Sequence, residues 1–114
     1  MAFQIFDVVK VPFPFTDLNV SKRRPAVVVS DFDYYNVSSD HVVLVMITSA
    51  NSSSFPLDIK IKDSQRAGLK KRECLMRVGK IFTLDSRFVE SKLGKLSLGD
   101  QKTLKMNLKK LFHL

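Results

Sequence analysis

Val27, Val28 and Val29 stand in succession, and His41 to Ser49 reads HVVLVMITS. The continuous β-branched run Val27–Val29 suits a strand buried on both faces, and His41 to Ser49 reads as a further strand. The flanking segments supply further strands. Phe6 to Phe15 is rich in valine but interrupted by Pro12 and Pro14. Valine favours a strand, and proline cannot donate to an interior ladder, so the first strand ends near Pro12 and PFPFTDLNVSK forms a loop. The second strand lies in RRPAVVVS, the third in HVVLVMITS. Asn51 to Ser54 is turn-like. Leu57, Ile59 and Ile61 alternate with Asp58, Lys60 and Lys62, which predicts a half-exposed strand. A fifth strand covers roughly Glu73 to Thr83, bent at Gly79.

The end of the chain changes period. Ser97 with Asp100 three residues on forms a capping box. Leu104, Leu108 and Leu111 recur at helical spacing, with Phe112 widening the stripe. That stripe can pack on its own sheet or on a second subunit. Lys102, Lys105, Lys109 and Lys110 lie mostly off it, as a solvated face or as an RNA-touching one. A short helical turn is expected over Ser86 to Leu93. Consecutive strands followed by late helices favour a mainly β fold, a small barrel with a C-terminal helix, over a parallel βαβ fold.

The chain's 114 residues fit one domain, taken here as 1–114. Its 45% hydrophobic content supports a core, and 26% charged residues exclude a disordered or membrane composition. Nineteen Lys and Arg against eleven Asp and Glu leave a net charge of +8. Such a field attracts polyanions, although charge alone does not separate a nucleic-acid binder from a merely basic protein. Cys74 stands alone, so no disulfide within the chain and no cysteine-rich zinc site is expected. No stretch approaches the ~20 apolar residues needed to span a bilayer. MAFQIFDVV lacks a signal-peptide pattern, and a cytoplasmic protein with no membrane contact is expected. No phosphate-cradling glycine loop occurs, and no cofactor or metal is expected. His41 and His113 read as structural or solvated, and Cys74 as a packing residue.

Several separated motifs now carry a resemblance. DVVKVPFPFTDLNVSKRRPAVVVS (Asp7 to Ser30), VMITS (Val45 to Ser49), AGLKKRECLMRVGKIFTLD (Ala67 to Asp85) and LGKLS (Leu93 to Ser97) together resemble the MazF/PemK family of bacterial toxins. The resemblance covers nearly the whole chain in the family's order. It implies an SH3-like β-barrel of the CcdB/MazF type, usually a homodimer. It implies a metal-independent endoribonuclease that cuts single-stranded RNA at short sequences, blocked by an acidic antitoxin. The family's catalytic arginine matches Arg24, before Pro25, and its threonine matches Thr48, in Ile47-Thr48-Ser49. The chain departs from the family at three places. Phe6 precedes Asp7 where glycine is usual, the loop LNVSKRR lacks glycine, and Glu73-Cys74 stand where Pro-Ser is common.

These residue types suit the chemistry. Cleavage without metal uses the 2′-hydroxyl as nucleophile on the adjacent phosphorus, leaving a 2′,3′-cyclic phosphate and a 5′-hydroxyl. The enzyme aligns the attack and stabilises the added negative charge. An arginine fork donates two hydrogen bonds to phosphoryl oxygens and stays charged. A threonine hydroxyl on a stiff β-branched side chain can hold a phosphate oxygen or the 2′-hydroxyl. Taken singly, Arg24 reads equally as a surface arginine and Thr48 as an ordinary strand residue; only the combined motif selects them. Lys22, Arg23, Lys70, Lys71, Arg72 and Arg77 are candidate phosphate contacts. Phe13 and Phe15 are candidates for base stacking, or for pinning the loop. Two rival readings share the barrel: a non-catalytic RNA- or DNA-binding protein, and a CcdB-like gyrase poison acting through its C-terminal helix. The Arg-Pro and Ile-Thr-Ser motifs argue against the second.

Overall fold

The computed structural model describes residues 2–12 and 22–114. Six strands form one antiparallel sheet: β1 (Asp7–Pro12), β2 (Arg23–Val28), β3 (His41–Ser49), β4 (Ile59–Lys60), β5 (Cys74–Asp85) and β6 (Ser91–Lys95). Their order across the sheet is β4-β5-β3-β2-β1-β6, and the sheet curls into a half-barrel. β1 is described as far as Pro12, and the loop expected over PFPFTDLNVSK lies almost wholly outside the described residues. The valine run and HVVLVMITS are the central strands, β2 and β3. Ala26, Val27, Val28, Leu44 and Val45 are all fully buried there.

Burial on both faces is possible because each face has its own cover. Val8, Val27, Val45, Ile47 and Met76 pack on one face with Leu104 and Leu108 of the C-terminal helix. Val9, Val11, Ala26, Val28, Leu44 and Phe82 pack on the other with Phe3. A π-turn (Phe32–Asn36) and a single helical turn, α1 (Val37–Ser39), join β2 to β3. No apolar period announced these turns. Asn36 anchors them from within, donating to the Phe3 carbonyl at 2.6 Å and the Ser30 carbonyl at 3.1 Å.

The C-terminal helix, α2 (Leu98–Phe112), starts at the expected box. Ser97 Oγ accepts from the Asp100 N–H at 3.2 Å. The buried Asp100 carboxylate accepts from the Ser97 hydroxyl at 3.1 Å and reaches beyond the helix. It accepts the N–H groups of Lys62 and Asp63, both at 3.0 Å, and so ties the helix to the segment after β4. Only the first part of the predicted stripe is covered: Leu104 is buried, whereas Leu111 and Phe112 are exposed.

Two expectations need correction. The alternating segment 57–62 pairs with β5 only at Ile59 and Lys60. Leu57 takes φ +68, and the N–H of Lys62 goes to Asp100 instead of a ladder. Ile61 is buried as predicted, but so is the Asp58 side chain, which pairs with Arg77. The segment 86–93 holds a short 3₁₀ turn only at Ser86–Phe88; from Ser91 it becomes edge strand β6 against β1. SKLGK has no strand period to reveal this. Further along the sheet, β5 bends as expected. Its register against β3 jumps from Ile81 to Arg77, looping out Val78, Gly79 and Lys80.

The loop after β4 reaches the opposite edge of the sheet. The Lys95 N–H donates to the Arg66 carbonyl at 3.3 Å. Gly68 and Gly94 make the approach possible. A Cβ on Gly68 would stand 2.0 Å from the Leu93 carbonyl oxygen, and one on Gly94 would stand 2.5 Å from that of Arg66. Gly68 also has φ +76.

Candidate active site

Arg24 and Thr48 reach one cleft by strand register. β2 and β3 pair Ala26 with Met46, Val27 with Val45 and Val28 with Leu44. Two further steps along this register bring Arg24 opposite Thr48. Directly opposed residues share a face of the sheet, with Cβ atoms ~4.5–5.5 Å apart where the pairing is regular. Pairing of β2 with β3 stops at Ala26, next to Pro25, which lacks an N–H. Beyond that point the strand ends open into a cleft of about 420 Å³. Arg24 and Thr48, both half-buried, line it together.

The cleft takes its walls from both sides of the sheet. Alternation puts Arg24 and Thr48 on the face of Val11, Ala26 and Met46. Lys10, Pro25, Ile47 and Cys74 come from the opposite face, and the Gly68–Lys71 turn completes the wall. Its charged side chains are Lys10, Arg23, Arg24, Lys70 and Lys71, and among the described residues no carboxylate joins them. Arg23 is partly neutralised at the rim, where its Nε lies 3.0 Å from Glu90 Oε2. Among the described residues the lining is therefore positive in sign.

The other sequence candidates are spread more widely. Lys22 and Arg72 are exposed and do not line the cleft. Arg77 lies on the Thr48 face of β5 but is engaged elsewhere. Its Nε stands 3.3 Å from Asp58 Oδ2, an ion pair without hydrogen-bond geometry, and its guanidinium lies 4.9 Å from the Phe55 ring centre. Phe13 and Phe15 lie outside the described residues. Cys74 is buried in the core cluster and also lines the cleft, its thiol donating to the Lys71 carbonyl at 3.4 Å. Burial pushes that thiol above its ordinary pKa, the charge of Glu73 pushes the same way, and Lys71 opposes both. His41 is far from the cleft at the start of β3, with Nδ1 2.7 Å from the Ser39 carbonyl.

Sequence reasoning missed Lys10. The signal was present: a lone lysine within Val8-Val9-Lys10-Val11. Such a lysine reads as the solvent face of a strand, but β1 lies between β2 and β6, so its Lys10 position points toward the cleft. Among the described residues no three of His, Cys, Asp and Glu are grouped as metal ligands would be. No helix among them is long and apolar enough to cross a membrane.

Comparison with known proteins bears on this geometry. The family model for PemK-like, MazF-like toxins of type II toxin-antitoxin systems matches residues 4–112. A MazE-MazF structure from Deinococcus radiodurans superposes with TM-score 0.79 at 18% identity, over 100% of this chain and 99% of the other. An endoribonuclease in complex with its cognate antitoxin from a mycobacterial species gives 0.75 at 18%, over 99% and 97%. The Mycobacterium tuberculosis toxin MazF-mt6 gives 0.73 at 13%, over 95% and 97%. At such identities the structural likeness concerns the fold. A sequence search of curated proteins found no match. The family match rests on the sequence itself and includes every residue of the cleft, so this chain belongs to the PemK-like, MazF-like toxin family of type II toxin-antitoxin systems.

Proposed function

We propose that this toxin is an endoribonuclease that cuts single-stranded RNA without a metal ion, with Arg24 and Thr48 acting on the scissile phosphate. One observation carries the reading: Arg24 and Thr48, which the β2–β3 register projects opposite each other, line one cleft whose charged residues, among the described residues, are all cationic. Arg24 donates to the phosphoryl oxygens and stabilises the charge that builds as the 2′-hydroxyl attacks. Thr48 holds the attacking hydroxyl or a phosphate oxygen in line. The P–O2′ bond forms as the P–O5′ bond breaks; the 2′-hydroxyl gives its proton to water and the leaving O5′ takes one from water, leaving a 2′,3′-cyclic phosphate and a 5′-hydroxyl. Lys70 and Lys71 bind flanking phosphates.

The partner class follows the same electrostatics. An acidic antitoxin covers the cationic cleft, and the toxin works as a homodimer in the cytoplasm. The solved relatives named MazE-MazF and an endoribonuclease with its antitoxin support such a partner. The test is incubation with a long single-stranded RNA in EDTA, with the ends of the products mapped. Cleavage at short sequences, with cyclic-phosphate ends, is expected from the wild type and is lost in Arg24→Ala and Thr48→Ala with circular dichroism unchanged. RNA binding without cleavage in the wild type would make the protein a non-catalytic binder. Toxicity that survives Arg24→Ala but falls when the last few residues are trimmed would point to a gyrase-directed poison.

A further inference from the structure

We propose that the cleft seats one unstacked nucleobase and that Lys10 donates to the carbonyl oxygen at C4 of uracil or C6 of guanine. The site then prefers a keto base, uracil or guanine, over an amino base, cytosine or adenine. This inference rests on the reading of the chain as an RNA-cutting toxin, and it names a part of the substrate that reading leaves open.

The position of Lys10 carries the argument. Its backbone pairs with Pro25 of β2 on one side and Ser91 of β6 on the other, and its carbonyl accepts the Glu90 N–H at 2.9 Å. The flanking Val9 and Val11 are fully buried on the opposite face. A lysine on an interior strand is rare unless its ammonium has an outlet. Lys10 lines the cleft, which offers such an outlet, and among the described residues no carboxylate lines it with Lys10.

The floor beneath it is apolar, made by Ile47, Leu69 and Leu93. A pocket built for phosphate alone has no use for such a floor, whereas a base has apolar faces to lay on it. The volume, about 420 Å³, lies within the ~300–1,000 Å³ usual for small-ligand sites. Arg24 and Thr48 line the same cleft from the other face of the sheet, so the proposal places the base on a nucleotide flanking the scissile phosphate.

Lysine is a donor only. Uracil and guanine present a carbonyl oxygen where cytosine and adenine carry an amino group. A donor meets an acceptor in the first case and another donor in the second. One well-placed interaction of this type discriminates by about tenfold or more.

The experiment uses short 2′-O-methyl oligonucleotides, which cannot be cut, each with one base in an otherwise abasic strand. Binding is read by fluorescence anisotropy. The wild type is expected to bind the uracil and guanine strands about tenfold tighter than the cytosine and adenine strands. Lys10→Met is expected to drop the first pair to the level of the second, and Lys10→Arg to keep the preference. An equal loss for all four bases would place Lys10 on phosphate and overturn the proposal. So would a preference untouched by Lys10→Met, or no preference in the wild type. A second readout needs no variant. The Lys10 side-chain NMR signals shift with uridine 5′-monophosphate and stay put with cytidine 5′-monophosphate; equal shifts overturn the assignment. Binding is measured apart from cutting. A protein that selects keto bases yet leaves RNA intact would fail as a nuclease and keep the subsite, and one that cuts without this preference would do the reverse.

Discussion

The two ends of the β3–β5 strand pair carry clefts of similar size and opposite character. At one end Ser49 pairs with Cys74, beside the Arg24 and Thr48 cleft; at the other His41 pairs with Asp85. The second cleft, about 520 Å³, is lined by Ser39, Asp40, His41, Asp85, Ser86 and Arg87. There the one arginine is spent. Arg87 reaches both oxygens of Asp85, its Nη2 at 3.0 Å from Oδ2 and its Nε at 3.2 Å from Oδ1, and Asp40 adds another carboxylate. The first cleft, among the described residues, holds several cations and no acid. Volume therefore does not single out the first cleft, whereas a lining of one sign among the described residues does.

The contrast can be broken most directly at the arginines. Arg24→Ala is expected to reduce RNA cleavage roughly 10²–10³-fold, the usual loss when one transition-state donor is removed. Arg87→Ala is expected to leave the rate unchanged in the same assay. If both variants lose activity alike, the asymmetry carries no functional meaning. Asp100 supplies the structural control, since it supports the cleft side of the fold without entering the cleft. Asp100→Ala strands the N–H groups of Lys62 and Asp63. It is expected to cost ~2–3 kcal/mol in denaturant unfolding, with cleavage per folded molecule retained.

Smaller effects sharpen the comparison. Lys70→Ala or Lys71→Ala is expected to weaken RNA binding uniformly across sequences. The slope of log affinity against log salt falls by about 0.7 for each phosphate no longer held. Arg87→Ala should leave that slope unchanged. At Cys74 the thiolate is disfavoured, so iodoacetamide reacts more slowly with the folded protein than with the urea-unfolded chain. The rate rises only at more alkaline pH. Because that pKa is raised on folding, its stabilising contribution is present at neutral pH and is lost as pH climbs through the folded value. The smallest effect sits at the far end. Hydrogen bonds from Arg87 hold the Asp85 carboxyl below the ordinary carboxylate range. In Arg87→Ala, carbon-detected NMR should show it titrating at higher pH. The exposed pair stabilises little, and what it contributes is lost as pH falls through the lowered value.

What the sequence made legible follows how local each signal is. The valine run, HVVLVMITS and the Ser97–Asp100 box state their own structure within a few residues, and all three became the expected elements. Edge strand β6 did not. SKLGK becomes a strand only because β1 lies beside it, and that partner is distant in the chain. The segment 57–62 failed for a related reason. Its alternation correctly buried Ile61, but Asp58 and the Lys62 N–H found partners on β5 and α2 that no local pattern encodes. Of the proposed site, the Arg24 and Thr48 motif was readable, and register explains how the two can meet. The Lys10 contribution was not, because a lysine among valines reads as solvent-facing until the strand order is known. The N-terminal departure from the family has a physical side as well. Phe6, where the family usually has glycine, takes φ +71 and buries its ring in the core, 5.7 Å from the Lys105 ammonium. Its burial offsets a backbone conformation that costs a non-glycine residue ~1–2 kcal/mol.

The crossing of Gly68 over Gly94 makes the molecule's two free borders into a single seam, closed by bare backbone. The turn that presents Lys70 and Lys71 is stitched to β6 at that seam, not merely hinged from β5. A methyl group at position 94 would act as a wedge, prying the lysines away from Arg24 while touching none of them. Damage to the chemistry can thus arrive from a glycine that carries no charge, no hydroxyl and no place on the RNA.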